Sequence, residues 1–110
     1  MARYEYVILG RGKEGRDQEF RDWYDSDHLA DVARVEGIVS ARRLNIDYQK
    51  VYDLDVPSYT SLTIYELETD DPAALVAKIA AMAGTDAMPM SDAIEKSGML
   101  QVVASLSKRA

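Results

Sequence analysis

The stretch SYTSLTIYELE, residues 58–68, has the two-residue period of a β-strand, yet it carries large apolar groups on both of its sides. Tyr59, Tyr65 and Leu67 fall on one side; Leu62 and Ile64 fall on the other. A strand of this kind belongs to a sheet that is covered on both faces. The doubling recurs in two further segments. Arg3 to Leu9 sets Tyr4, Tyr6 and Ile8 against Val7 and Leu9, and GMLQVVASL near the C-terminus separates Met99 and Val103 from Leu100, Val102 and Leu106.

The rest of the chain limits what can cover such a sheet. Asp17 can cap a helix that runs through Val35 and is closed by Gly37, and Ile38 to Tyr48 is mixed but β-leaning. An irregular, Asp-containing stretch with Pro57 leads into residues 58–68. Asp70 or Asp71 then caps the Ala-rich helix PAALVAKIAAMAG, with Pro72 in its first turn and Gly84 at its stop. Residues 85–97 read as a loop followed by a short helix begun by Ser91, ahead of the last strand. The order is βαββαβ, an α+β ferredoxin-like plan with a four-stranded antiparallel sheet and helices on one face. At 110 residues, 1–110 form a single domain. Two helices leave one apolar face bare, so a homodimer packed sheet on sheet is expected.

The first helix contains WYDSDH, residues 23–28, with the only histidine of the chain. At roughly 100° per residue, Phe20, Trp23, Tyr24, Asp27, His28, Asp31, Val32 and Val35 share one half of the circumference. Leu29 would face water. An interruption near Ser26 to His28, with Ser26 as a cap for a second short segment, would turn Leu29 inward, and such a break is expected. Tyr24 and His28 are spaced i,i+4 and His28 and Asp31 i,i+3, so a phenol and a carboxylate can flank the imidazole. That trio could hold one tautomer ready for proton transfer near neutral pH. Taken without function, the same residues are the polar edge of a helix with Phe20, Trp23 and Val32 in the core, and Asp25 is a solvated carboxylate.

Composition removes several classes of function. With no cysteine there is no thiolate nucleophile, disulfide or Cys-based zinc site. A net charge of −6 opposes nucleic acid and anionic lipid, and the Arg42-Arg43 pair is too small a patch to reverse it. No metal is expected, because His28 and Asp31 fall short of the three protein ligands of a catalytic zinc. GRGKEG lacks the spacing of a phosphate loop. No secretory signal or membrane-length segment is evident, and a cytoplasmic protein is the simplest expectation.

EFRDWYDSDHLADVARVEGIVSARRL, residues 19–44, resembles the EthD-like and REDY-like branches of the dimeric α/β-barrel (Dabb) superfamily. Those proteins carry a Trp-Tyr-acid run followed by His-Leu, a Gly that opens the second strand and an Arg within it. Here the matching residues are Trp23, Tyr24, Asp25, His28, Leu29, Gly37 and Arg43, over about a quarter of the chain. The resemblance implies a dimeric α/β barrel with a cavity between each sheet and its helices. It does not select one reaction, because similar proteins include polyketide cyclases, muconolactone isomerases and cofactor-free monooxygenases.

The expected chemistry is cofactor-free general acid/base catalysis, of isomerase, lyase or cyclase type, on a small apolar or aromatic carbonyl compound. His28 would move the proton, Asp31 or Asp27 would orient it, and Tyr24, Tyr6 or Tyr65 would stabilise an enolate. Arg43 would meet an oxyanion or substrate carboxylate, or else pair with Asp27 or Asp31. Trp23 and Met88 complete the expected ligand contacts, and the segment that carries Met88 and Met90 either closes the pocket mouth or is a plain surface loop. The competing readings are a non-catalytic binding protein for a hydrophobic metabolite, a cofactor-free monooxygenase, and a structural homodimer with a filled interior.

Overall fold

A computed structural model describes residues 1–110. The elements in order are β1 (Ala2–Gly10), α1 (Asp17–Trp23), a π-helical turn (Tyr24–His28), α2 (Leu29–Ala33), β2 (Ile38–Asn45), β3 (Ser61–Thr69), α3 (Pro72–Met82) and β4 (Leu100–Ala104). The strands form one antiparallel sheet in the order β2-β3-β1-β4. The result is an α+β fold consistent with the ferredoxin-like plan, with residues 17–33 acting as one continuous helical stretch beside α3. No helix is long and apolar enough to cross a membrane.

Alternation along β3 decides which side of the sheet the helices cover. Ser61, Thr63, Tyr65 and Leu67 are buried, while Leu62, Ile64, Glu66 and Glu68 between them are only half-buried. Tyr6, Tyr65 and Leu67 of this inner face pack with Val32 of the first helical stretch, with Val35 just beyond its end and with Leu75 and Ile79 of α3. Helices therefore cover one face only. The Asp71 carboxylate caps α3 by accepting from the Ala74 N–H at 3.0 Å, and Pro72 occupies the first turn, where its missing N–H costs nothing.

Strand register grades the outer face. Leu44, Leu62, Leu9 and Leu100 form one row across the four strands, followed by Arg42, Ile64, Val7 and Val102. The next row is Ser40, Glu66, Glu5 and Ala104, and Arg3 lies beyond it, paired with Glu66 and Glu68. One half of this face is a leucine and valine surface, and the other half is charged.

Three local expectations are corrected. Asp17 is the first residue of α1 rather than its cap; its Oδ1 accepts from the Gly12 N–H at 2.8 Å and from the Thr60 hydroxyl at 2.7 Å, which ties the β1–α1 loop to the start of β3. β2 ends at Asn45, short of Tyr48. Ser91 begins no helix, because the neighbouring backbone is already committed elsewhere: Gly12 bridges Ile94, Lys13 N–H donates to Ala93 O at 2.7 Å, and Glu95 N–H donates to Arg11 O at 3.0 Å.

Gly12 is required by close approach. A Cβ there would lie 2.6 Å from the Asp17 Cα and 2.8 Å from the Phe20 Cβ, and backbone cannot swing aside as a side-chain end can. Gly12→Ala is expected to cost about 1–3 kcal/mol or more in chemical denaturation. A neutral result would mean that the β1–α1 junction is looser than its contacts imply.

Candidate active site around His28

The segment Tyr24 to His28 winds as a single π-helical turn, in which the Leu29 N–H bonds to the Tyr24 carbonyl five residues back. The expected interruption is thus a widening rather than a break. Ser26 caps nothing and stays exposed. The extra residue rotates the helix beyond it, so Leu29 turns inward and packs against both apolar clusters. π-Turns inside α-helices are frequent at functional sites.

His28 is held mainly by aromatic rings. Trp23 stacks on the imidazole with centroids 4.6 Å apart and 20° between planes, and Tyr24 meets it edge-on at 4.9 Å. Its Nδ1 is enclosed and has no hydrogen-bond partner. Burial pushes the imidazole below its ordinary value of 6.5 and outweighs Asp31, which acts in the opposite direction. The ring is therefore neutral near pH 7.

Between the inner face of the sheet and the helices lies an open-mouthed cavity of about 410 Å³, lined mostly by apolar side chains such as Phe20, Val32, Ile79, Met88 and Met99. His28, Tyr24, Tyr65 and Tyr6 line it, together with Thr63 and Gln101. The Tyr24 and Tyr65 hydroxyls lie 3.2 Å apart, and the Tyr6 hydroxyl donates to Gln101 Oε1 at 2.9 Å. Thr63 Oγ1 lies close enough to favour a Tyr24 phenolate, but no well-formed hydrogen bond satisfies it. Burial raises all three phenols, Tyr6 to about 12. The wall thus carries protonated hydroxyls beside a neutral imidazole.

Met88 and Met90 both line the cavity, and Met88 is wholly buried. The segment that carries them is fastened by the Gly84 N–H to Met88 O bond at 2.8 Å and by the Arg16–Asp92 ion pair at 2.6 Å. Four other expected site residues lie elsewhere. Asp31 pairs with Arg34 instead of His28, since a permanently charged guanidinium is the stronger partner for a carboxylate than a buried neutral ring. Asp27 is exposed in a surface groove shared with Asp31, Arg34 and Asp86. Trp23 supports His28 but does not line the cavity.

Arg43 also misses the cavity, and its partner is neither Asp27 nor Asp31. Its Nε and Nη2 donate to the two Asp25 oxygens at 2.6 and 2.9 Å, and its Nη1 donates to Ser61 Oγ at 3.3 Å. Asp25, read from sequence as merely solvated, is drawn toward β2 and held below the usual carboxylate range by that guanidinium. The pair fastens the π-turn to the sheet. Thr63 and Gln101 also line the cavity, beyond the residues expected from sequence; the period of β3 puts Thr63 on the side of Tyr65 and that of β4 puts Gln101 on the side of Val103, whereas their polar character gives no sign of an inward position.

The lowered imidazole has a consequence for stability. Below about 6.5 the unfolded chain takes up a proton at His28 before the folded chain does, so stability falls as pH drops from 6.5 through the folded value. Denaturant titrations at pH 7.5 and pH 5 are expected to show a larger loss for the wild type than for His28→Gln. Equal losses would mean that the imidazole is not effectively buried.

No family model matches this chain, and comparison with curated proteins gives no match either.

Proposed function

We propose that the protein is a small cofactor-free enzyme of the dimeric α/β-barrel kind, in which His28 carries out general acid/base chemistry on a small apolar or aromatic carbonyl compound. The observation that carries this reading is a neutral imidazole on the wall of an apolar cavity, beside the Tyr24–Tyr65 hydroxyl pair. In such a step His28 accepts a proton from a carbon next to the carbonyl, the C–H electrons form a carbon–carbon double bond, and the carbonyl π pair moves onto oxygen. A protonated tyrosine hydroxyl then donates a hydrogen bond to the enolate. Return of the proton to a different atom gives isomerisation; expulsion of a leaving group from the neighbouring carbon, with the proton passed to it, gives a lyase outcome; attack of the enolate carbon on a second carbonyl of the same molecule, with the proton passed to the new alkoxide, gives a cyclase outcome.

One observation favours a second reading, a non-catalytic protein that holds a hydrophobic metabolite. No acceptor orients the His28 Nδ1. Incubation with 4-butylacetophenone in heavy water separates the two. The enzyme reading expects deuterium in the acetyl methyl group above the buffer rate; binding without exchange supports the carrier.

The leucine and valine half of the outer face supports the homodimer. Leu100 and Val102 are about half exposed, at 47% and 45%, in a continuous apolar patch with Leu9, Leu62 and Ile64. Sedimentation is expected to give a dimer at micromolar concentration, and Leu62→Glu a folded monomer. A monomeric wild type would remove the sheet-on-sheet assembly.

A further inference from the structure

We infer that the His28 cavity selects an uncharged ligand with an acceptor oxygen, such as a ketone, ester or lactone, and turns away the carboxylates of the same shape. The inference rests on the reading of this cavity as the reaction site and adds the class of compound that enters it.

Two features of the cavity wall lead there. The first is its charge. The chain has thirteen basic and nineteen acidic residues, yet no carboxylate lines the cavity and Lys96, which is exposed, is its only cation. Arg43 is the group that would have neutralised a substrate carboxylate. Its side chain is 4% exposed and its guanidinium is committed to Asp25 and Ser61. An anion carried into this space would shed its water with no buried cation to replace it.

The second feature is a surplus of donors. The Tyr24, Tyr65 and Thr63 hydroxyls bring three protons, and the 3.2 Å contact between the two phenols uses one of them. Thr63 Oγ1 is buried without a partner, and Tyr6 stands apart because its proton goes to Gln101. A hydroxyl can turn to meet a new acceptor. An oxygen brought by a neutral ligand would use a proton that the protein leaves unmatched, and it would do so without the cost of burying a charge.

The test uses three probes of one outline: 4-butylacetophenone, 4-butylbenzoate and 1-butyl-4-isopropylbenzene, which present a ketone, a carboxylate and a hydrocarbon branch at the same position. Titration at pH 8 can be followed through Trp23, the only tryptophan, which stacks on His28. The ketone is expected to bind at least about tenfold more tightly than the carboxylate. It should exceed the hydrocarbon by about threefold to tenfold. Removing all three hydroxyls in Tyr24→Phe/Tyr65→Phe/Thr63→Val should abolish the ketone's lead while leaving hydrocarbon affinity within about twofold, and Thr63→Val alone, which removes the unpartnered hydroxyl, should at least halve that lead if the triple variant does not fold. A carboxylate that binds as well as the ketone overturns the inference, as does a ketone that fails to bind at millimolar concentration. Failure of the acid/base reading is distinguishable: the ketone would then bind with the expected preference and show no deuterium exchange.

Discussion

His28→Gln is expected to slow α-proton exchange by about two to four orders of magnitude, the usual contribution of a positioned proton-transfer group. Fold and dimer should survive. The amide is close to imidazole in size and keeps hydrogen-bonding capacity, but it cannot take and return a proton. The residue is also poorly integrated into the polar framework: its Nδ1 has no partner, and Trp23 and Tyr24 hold the ring by packing. Replacement therefore breaks no hydrogen bond at Nδ1. Exchange rates and melting curves measured on the same preparation decide the matter. Near-wild-type exchange in the variant would move the chemistry to the tyrosines, and a collapse of the melting curve would make the histidine structural.

The second large effect is expected at Phe20, which is 1% exposed and anchors the smaller apolar cluster with Tyr24, Ala93 and Ile94. It meets Tyr24 edge-on with centroids 5.7 Å apart and leans on Trp23 at 6.2 Å. It therefore sits behind both rings that hold His28. Phe20→Ala should cost about 3–5 kcal/mol, since the aromatic transfer energy is lost and the vacated space adjoins the cavity. For a domain of this size that is a fall in melting temperature of more than about 10 °C. Phe20→Leu should cost clearly less. A loss below about 1 kcal/mol for Phe20→Ala would mean that this cluster contributes little to holding the π-turn.

The sheet was legible because its signal has period two and needs no partner to interpret it. Tyr4, Tyr6 and Ile8 share the inner face with Tyr65 and Leu67, as their alternation indicated. The irregularity of the first helix was legible through Leu29, which an unbroken α-helix would have left in water. The ion pairs were not legible in the same way. Asp31 is spaced to reach either His28 or Arg34, and spacing alone does not rank a neutral ring against a fixed charge. Asp25 reaches Arg43 only after the π-turn re-aims it, and the contact joins elements eighteen residues apart. Residues 85–97 carry a helix-start signal at Ser91 that long-range bridges to Gly12 and its neighbours override. Thr63 carries no signal in the sequence, because a threonine in a strand is ordinary and only the fold leaves its hydroxyl buried and unmatched.

Proton exchange between a neutral imidazole at the cavity wall and a bound carbonyl compound is the step on which the proposed function turns. The chain has one histidine, so the nuclear magnetic resonance signals of its ring need no assignment by mutation. A titration of those signals between pH 4 and 8, with and without 4-butylacetophenone, addresses that step most directly. The expected result is an apparent pKa below 6.5 in the free protein, lowered further when the ketone displaces water from the cavity, and ring shifts that saturate with the probe. A value at or above 6.5 that is indifferent to saturating ketone would place His28 in bulk solvent and contradict the proposed function.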